Sequence, residues 1–93
     1  MTLDIRHLAH ADHGSFQARV DGLVCDADYL LANDVMTITH TGVPAPLGGR
    51  GIAAELTKAA LAHARAAGWK VQPLCSYARA YIERHPEMQS LLA

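Results

Sequence analysis

Pro46-Leu47-Gly48-Gly49-Arg50-Gly51-Ile52-Ala53 is the stretch on which the fold turns, because the residues before it alternate and those after it recur at helical spacing. Glycine and proline are so dense from Gly42 to Gly51 that no regular element is expected there, and the segment reads as a loop. On its C-terminal side Ile52, Leu56, Ala59, Ala60, His63, Ala64 and Ala67 share one helical face. Glu55, Lys58 and Arg65 take the other, and Gly68 supplies a stop. An amphipathic helix over Arg50 to Ala67 follows.

On the N-terminal side, Phe16 to Val20, Leu23 to Leu31 and Val35 to Thr41 are strand-like. Asp21-Gly22 and Asn33-Asp34 are turn signals between them, which predicts an antiparallel meander. Beyond the helix, Trp69 to Leu74 is short, apolar and bounded by Gly68 and Cys75-Ser76. A helix is the usual crossover between parallel strands, so this strand should pair in parallel with the one before the loop. Tyr77, Ala78, Tyr81 and Ile82 then fit one face of a short final helix, with Ser76 as its cap and Pro86 limiting it near Arg84. The expected fold class is α+β: an antiparallel meander, a βαβ unit and a C-terminal helix around a mixed sheet. The first dozen residues and Glu87 to Ala93 carry no clear pattern.

A chain of 93 residues, about half of them apolar, is expected to form a single domain with its core at about 15–87. The formal charge is −1 and the basic residues are scattered, so the clustered positive field that nucleic acid or an anionic membrane requires is missing. No apolar run approaches the roughly 20 residues of a membrane span, and Met1 to His10 lacks the segments of a secretory signal. A cytoplasmic address is the expectation, and with it free thiols at Cys25 and Cys75.

Chemistry enters at the loop. Glycines there let the backbone approach a ligand, and the amides of a helix N-terminus, at the positive end of its dipole, suit a diphosphate. A Walker loop is excluded because no Gly-Lys-Ser/Thr follows, and the dinucleotide fingerprint because the glycine spacing differs. Taken alone, the same glycines could form nothing more than a turn.

Their context is more specific. His40-Thr41-x-Val43-Pro44, Gly49-Arg50-Gly51-Ile52-Ala53, Val71-x-Pro73-Leu74-Cys75-x-Tyr77 and Tyr81-Ile82-x-Arg84-His85-Pro86 together resemble the small, single-domain branch of the GNAT superfamily of acetyltransferases. The resemblance spans roughly Phe16 to Glu87. It implies a strand that splays from its neighbour to admit the pantetheine arm of acetyl-coenzyme A. It also implies pyrophosphate binding by Leu47, Gly48, Gly49, Arg50, Gly51, Ile52 and Ala53, backbone contacts from Val43, and further coenzyme contacts from Thr41, Cys75 and Tyr77. The superfamily pattern has Arg or Gln where this chain has Gly48, and many relatives carry an acidic residue in place of Gly42.

Cys75, at the end of a predicted strand and the start of a helix, is placed where amides and the dipole stabilise a thiolate. The resemblance sets it near the thioester. A buried thiol with no covalent role is the alternative. His40 could take the proton that an attacking amine loses, or be an ordinary surface histidine. Tyr77 and Tyr81, one turn apart, could protonate the departing thiolate or line the pocket, but packing in the core is the expectation for both, as for Phe16 and Trp69. His7, His10 and His13 lack the carboxylate or cysteine partners of a metal site and read as solvated, so no metal is expected. No Ser-His-Asp order or nucleophile elbow is present.

The function expected is transfer of an acetyl group from acetyl-coenzyme A to an amine, either directly or through Cys75. A coenzyme A-binding or acyl-coenzyme A-sensing module is the alternative, since little chain remains to build an acceptor pocket. A purely structural domain is a third reading, in which the loop is only a turn.

Overall fold

The computed structural model describes residues 3–93. Strands β1 (Arg6–Ala9), β2 (His13–Val20), β3 (Leu23–Ala32) and β4 (Val35–Gly42) form an antiparallel meander. Helix α1 (Ile52–Ala67) crosses over to β5 (Lys70–Pro73), which pairs in parallel with β4. Helix α2 (Ser76–Arg84) follows, and the sheet order is β1-β2-β3-β4-β5. The α+β architecture with a mixed sheet is therefore the observed one.

Alternation along the strands decides which face is buried. Phe16 and Ala18, Cys25, Ala27 and Tyr29, Met36 and Ile38, and Val71 all point to one side and are buried. Against them lie Ile52, Leu56, Thr57, Ala60, Leu61 and Ala64 of α1, with Ala78 and Ile82 of α2. Burying each large aliphatic side chain contributes about 1.5–3 kcal/mol. The buried stripe of α1 includes Thr57 and Leu61 and leaves Ala67 outside. Thr57 is tolerated in that stripe because its hydroxyl donates to the Ala53 carbonyl at 2.8 Å.

Several local expectations need correction. The first dozen residues hold β1, which pairs Arg6 with Gln17 and Ala9 with Gly14. The loop before α1 holds a short 3-10 turn, Ala45–Leu47, whose Leu47 reaches the core. The tail makes a second such turn, Pro86–Leu91, with Leu91 buried and the Ala93 amide bonded to the Val71 carbonyl. Helix α1 starts at Ile52 rather than Arg50, and the N-cap of α2 is Cys75, with Ser76 the first helical residue. No helix among the described residues is long and apolar enough to cross a membrane.

Candidate active site where two strands part

β4 and β5 share four residue pairs, from Val35–Lys70 to Ile38–Pro73. There β5 ends, while β4 runs on to Gly42. The amides of Leu74 and Cys75 both bond the Ile38 carbonyl, at 3.1 and 3.0 Å, and the chain then turns off into α2. From Thr39 to Gly42 this edge of β4 is therefore left without a strand partner, and the start of α2 lies beside it.

A bulge in β4 decides what faces that helix. Asp28 pairs with His40 but Tyr29 pairs with Ile38, so Thr39 is an extra residue on β4. One extra residue inverts the alternation. Thr41, opposite buried Ala27, turns to the helix side, whereas His40, opposite Asp28, turns to the outer face of the sheet. Two residues expected to work together, Cys75 and His40, are thereby set on different sides of β4.

Cys75 meets Thr41, with Sγ and Oγ1 3.5 Å apart. Burial pushes the thiol's pKa up. The Thr41 hydroxyl, the amides of Ala78 and Tyr77 and the Thr41 backbone outweigh that and hold it below the usual thiol value. The amides belong to the first turn of α2, where a sulfur at the N-cap stands at the positive end of the dipole. Cys25 is the contrast: it is fully buried, and burial together with Asp26 pushes its thiol up. Both thiols are free.

The glycine loop presents a bare helix end. Gly51, the N-cap of α1, has φ 78° and makes no side-chain cap, so the first amides of the helix lack an intramolecular side-chain acceptor. Gly49, at φ 82°, and Gly51 both face open space, and an L side chain at either would be strained by the left-handed backbone. Val43, Leu47, Gly48, Gly49, Gly51, Ile52, Ala53 and Tyr77 enclose a cavity of about 330 Å³ there. The structure thus gathers most of the predicted coenzyme-binding residues around one space. Arg50 contributes differently, because its guanidinium is bonded to the Asp21 carboxylate at 2.8 Å, in the β2–β3 turn.

Tyr77 departs from expectation. It is 38% exposed rather than packed in the core, and it also lines a second cavity of about 520 Å³ between α1 and α2. Lys58, Arg84 and His85 bring potential cations to that cavity, and Glu55 a carboxylate. Sequence periodicity missed Lys58 and Arg84 because each lies on the polar side of its own helix; only the packing of α1 against α2 brings them together. Tyr81 does pack against the core, stacked on His85 at 4.0 Å.

The N-terminal histidines also divide. His10 and His13 are exposed, whereas His7 is half-buried, stacked on Phe16 at 4.1 Å and within 2.6 Å of the Tyr29 hydroxyl. Burial, and then His63, lower its pKa.

Residues 15–91 match the family of GCN5-related N-acetyltransferases. A comparison with curated protein sequences gives no match. The solution structure of a GCN5-like protein from Staphylococcus aureus is similar, with a TM-score of 0.73 and 29% identity over 98% of this chain and 88% of that one. A match over most of its length, together with the parted strands and the bare helix end, shows that the chain belongs to the GCN5-related N-acetyltransferase family, a family of acyl-transferring enzymes.

Proposed function

We propose that the chain transfers an acetyl group from acetyl-coenzyme A to an amine, by way of Cys75. The observation that carries this reading is the bare N-terminus of α1 behind Gly49 and Gly51, which opens onto a cavity lined in part by Tyr77, a residue that also lines the neighbouring cavity of Lys58, Arg84 and Glu55. The donor's pyrophosphate fits the amides of Ile52 and Ala53, and its 3′-phosphate fits Lys58 and Arg84. Its pantetheine arm would lie along Thr41 and Val43 in the gap that β5 leaves open, which brings the thioester to Cys75.

Two displacements then complete the transfer. The Cys75 thiolate attacks the thioester carbonyl; a new carbon–sulfur bond forms, and the coenzyme leaves as its thiolate. The amine next attacks the acetyl-cysteine, forming the carbon–nitrogen bond and releasing the Cys75 thiolate. The N-terminal end of α2, whose N-cap is Cys75, favours the thiolate at both stages. The proton lost by the amine goes to His40, which faces the opposite side of β4, so the acceptor approaches from the outer face of the sheet while the donor lies on the helix side.

The test is acetyl transfer followed by intact mass. Incubation with acetyl-coenzyme A and no amine should add one acetyl group to the protein, and Cys75→Ala should abolish that addition. Coenzyme binding with no acetyl-protein and full turnover in Cys75→Ala would replace the relay with direct attack. Binding with no turnover on any amine would favour the sensing module.

A further inference from the structure

On the outer face of the sheet, Asp26, Asp28 and His40 converge: one carboxylate oxygen from each aspartate and a ring nitrogen of the histidine lie within 4.8 Å of one another. The His40 Nε2 is 3.6 Å from Asp26 Oδ1, slightly beyond a hydrogen bond and within reach of one by a small ring movement. Asp28 is anchored separately, since Ser15 donates to its Oδ1 at 2.7 Å. Asp26, though also in contact with Asp28, is the carboxylate nearer the imidazole.

Gly42 supplies the room for that pairing. It lies opposite Asp26 in the sheet register, and a Cβ at Gly42 would come within 2.6 Å of His40 Nε2 and 2.7 Å of Asp26 Oδ1. A side chain there must displace the imidazole, the carboxylate or both. The bulge at Thr39 turns His40 to this face, and the missing side chain at Gly42 lets its ring lie across the strand toward Asp26.

We infer that Asp26 is the positioning residue for His40 in the transfer reaction, a role made possible by Gly42. This rests on His40 as the base of the reading above. With Nε2–H turned to Asp26, Nδ1 holds the lone pair that accepts the amine's proton. The imidazolium formed then sits against a carboxylate, and its charge also relieves the repulsion between Asp26 and Asp28. Burial and Asp28 raise the Asp26 pKa while His40 opposes them, which accords with a pair that gains from a positive ring. The other groups on this face are Gln17 and Arg6 in the same register row, Arg19 further along β2, and the rim histidines His10 and His13 near Asp28.

Two readouts on the full chain test it. Long-range proton–nitrogen NMR of the His40 ring should show the Nε2–H tautomer in the unmodified chain and a mixture of the two tautomers in both Asp26→Asn and Gly42→Ala, because the hydrogen bond to Asp26 sets which nitrogen holds the proton. In steady-state transfer, Asp26→Asn should lower kcat roughly tenfold, with the KM for acetyl-coenzyme A unchanged, since the coenzyme lies on the other side of β4. An unchanged His40 tautomer in Asp26→Asn overturns the inference whether or not the protein turns over. Full activity in His40→Gln would instead remove the base itself. Loss of coenzyme binding in Gly51→Val, with the tautomer change of Asp26→Asn intact, would leave this pairing standing by itself.

Discussion

Cys75 Sγ lies 3.5 Å from Thr41 Oγ1, a contact that exists because Thr39 is one residue too many in β4. Without that bulge the alternation would turn His40 toward the thiol and Thr41 away. A single inserted residue therefore assigns the two sides of the strand, thiol chemistry on the helix side and the imidazole on the outer face.

Thr41→Val, close in volume, removes the hydroxyl but keeps the packing. Burial would then be opposed only by the backbone groups, and the Cys75 pKa should rise. Alkylation by iodoacetamide near pH 7 should slow severalfold, because less of the thiol is then ionised. Cys25, fully buried, should stay unreactive until the protein unfolds, so the native chain should titrate one thiol.

Gly51→Ala tests the bare helix end. A left-handed backbone costs an L residue about 1–2 kcal/mol, so the urea midpoint should fall accordingly. Gly51→Val adds bulk beside the first amides of α1 and should weaken coenzyme A binding at least tenfold by calorimetry, a loss of about 1.4 kcal/mol. Retained affinity in Gly51→Val would detach the loop from phosphate recognition.

Lys58→Ala and Arg84→Ala address the far cavity. Each should weaken coenzyme A more than it weakens dephospho-coenzyme A, because the difference between the two ligands is the 3′-phosphate. Exposed charge pairs contribute about 1 kcal/mol or less, so the expected discrimination per residue is a few-fold and should fade with salt.

Acid should destabilise the fold through His7. Its pKa is lowered by burial and then by His63, so the folded state favours the neutral ring. The stabilisation is fully present above the unfolded value near 6.5 and is lost as the pH falls through the lower folded value. Urea midpoints should drop between pH 7.5 and pH 5, and His7→Gln, which can still reach the Tyr29 hydroxyl, should flatten that drop. An equal slope in both proteins would assign the acid sensitivity elsewhere.

Much of the fold was legible because it rests on local periodicity. Strict alternation from Phe16 to Ile38 and the Ile52–Leu56–Ala60–Ala64 stripe each name their own face, and a helix between two strands fixes the parallel pairing. β1 was not legible, since its Arg-His-Leu-Ala stretch is short and mostly exposed at the sheet edge. The 3-10 turns were hidden by their proline and glycine content. In the site, the glycine loop and Cys75 were visible as residue types at the right junctions. The bulge was not: nothing in Thr39-His40-Thr41 marks which residue is extra, because the insertion is defined only by the partner strand. Asp26 escaped for the same reason. It reads as a solvent-side position of an amphipathic strand, and only the register to Gly42 and the reach of His40 give it a role. Tyr77 was misjudged because its helical face borders the cavity rather than the core.

The most direct test of the central claim is calorimetric titration of the purified chain with acetyl-coenzyme A, followed by intact mass on the same sample. The account predicts saturable binding and a mass increase of one acetyl group, absent in Cys75→Ala. No binding would contradict the claim at its root, since the bare end of α1 would then hold no phosphate and Cys75 would have no donor.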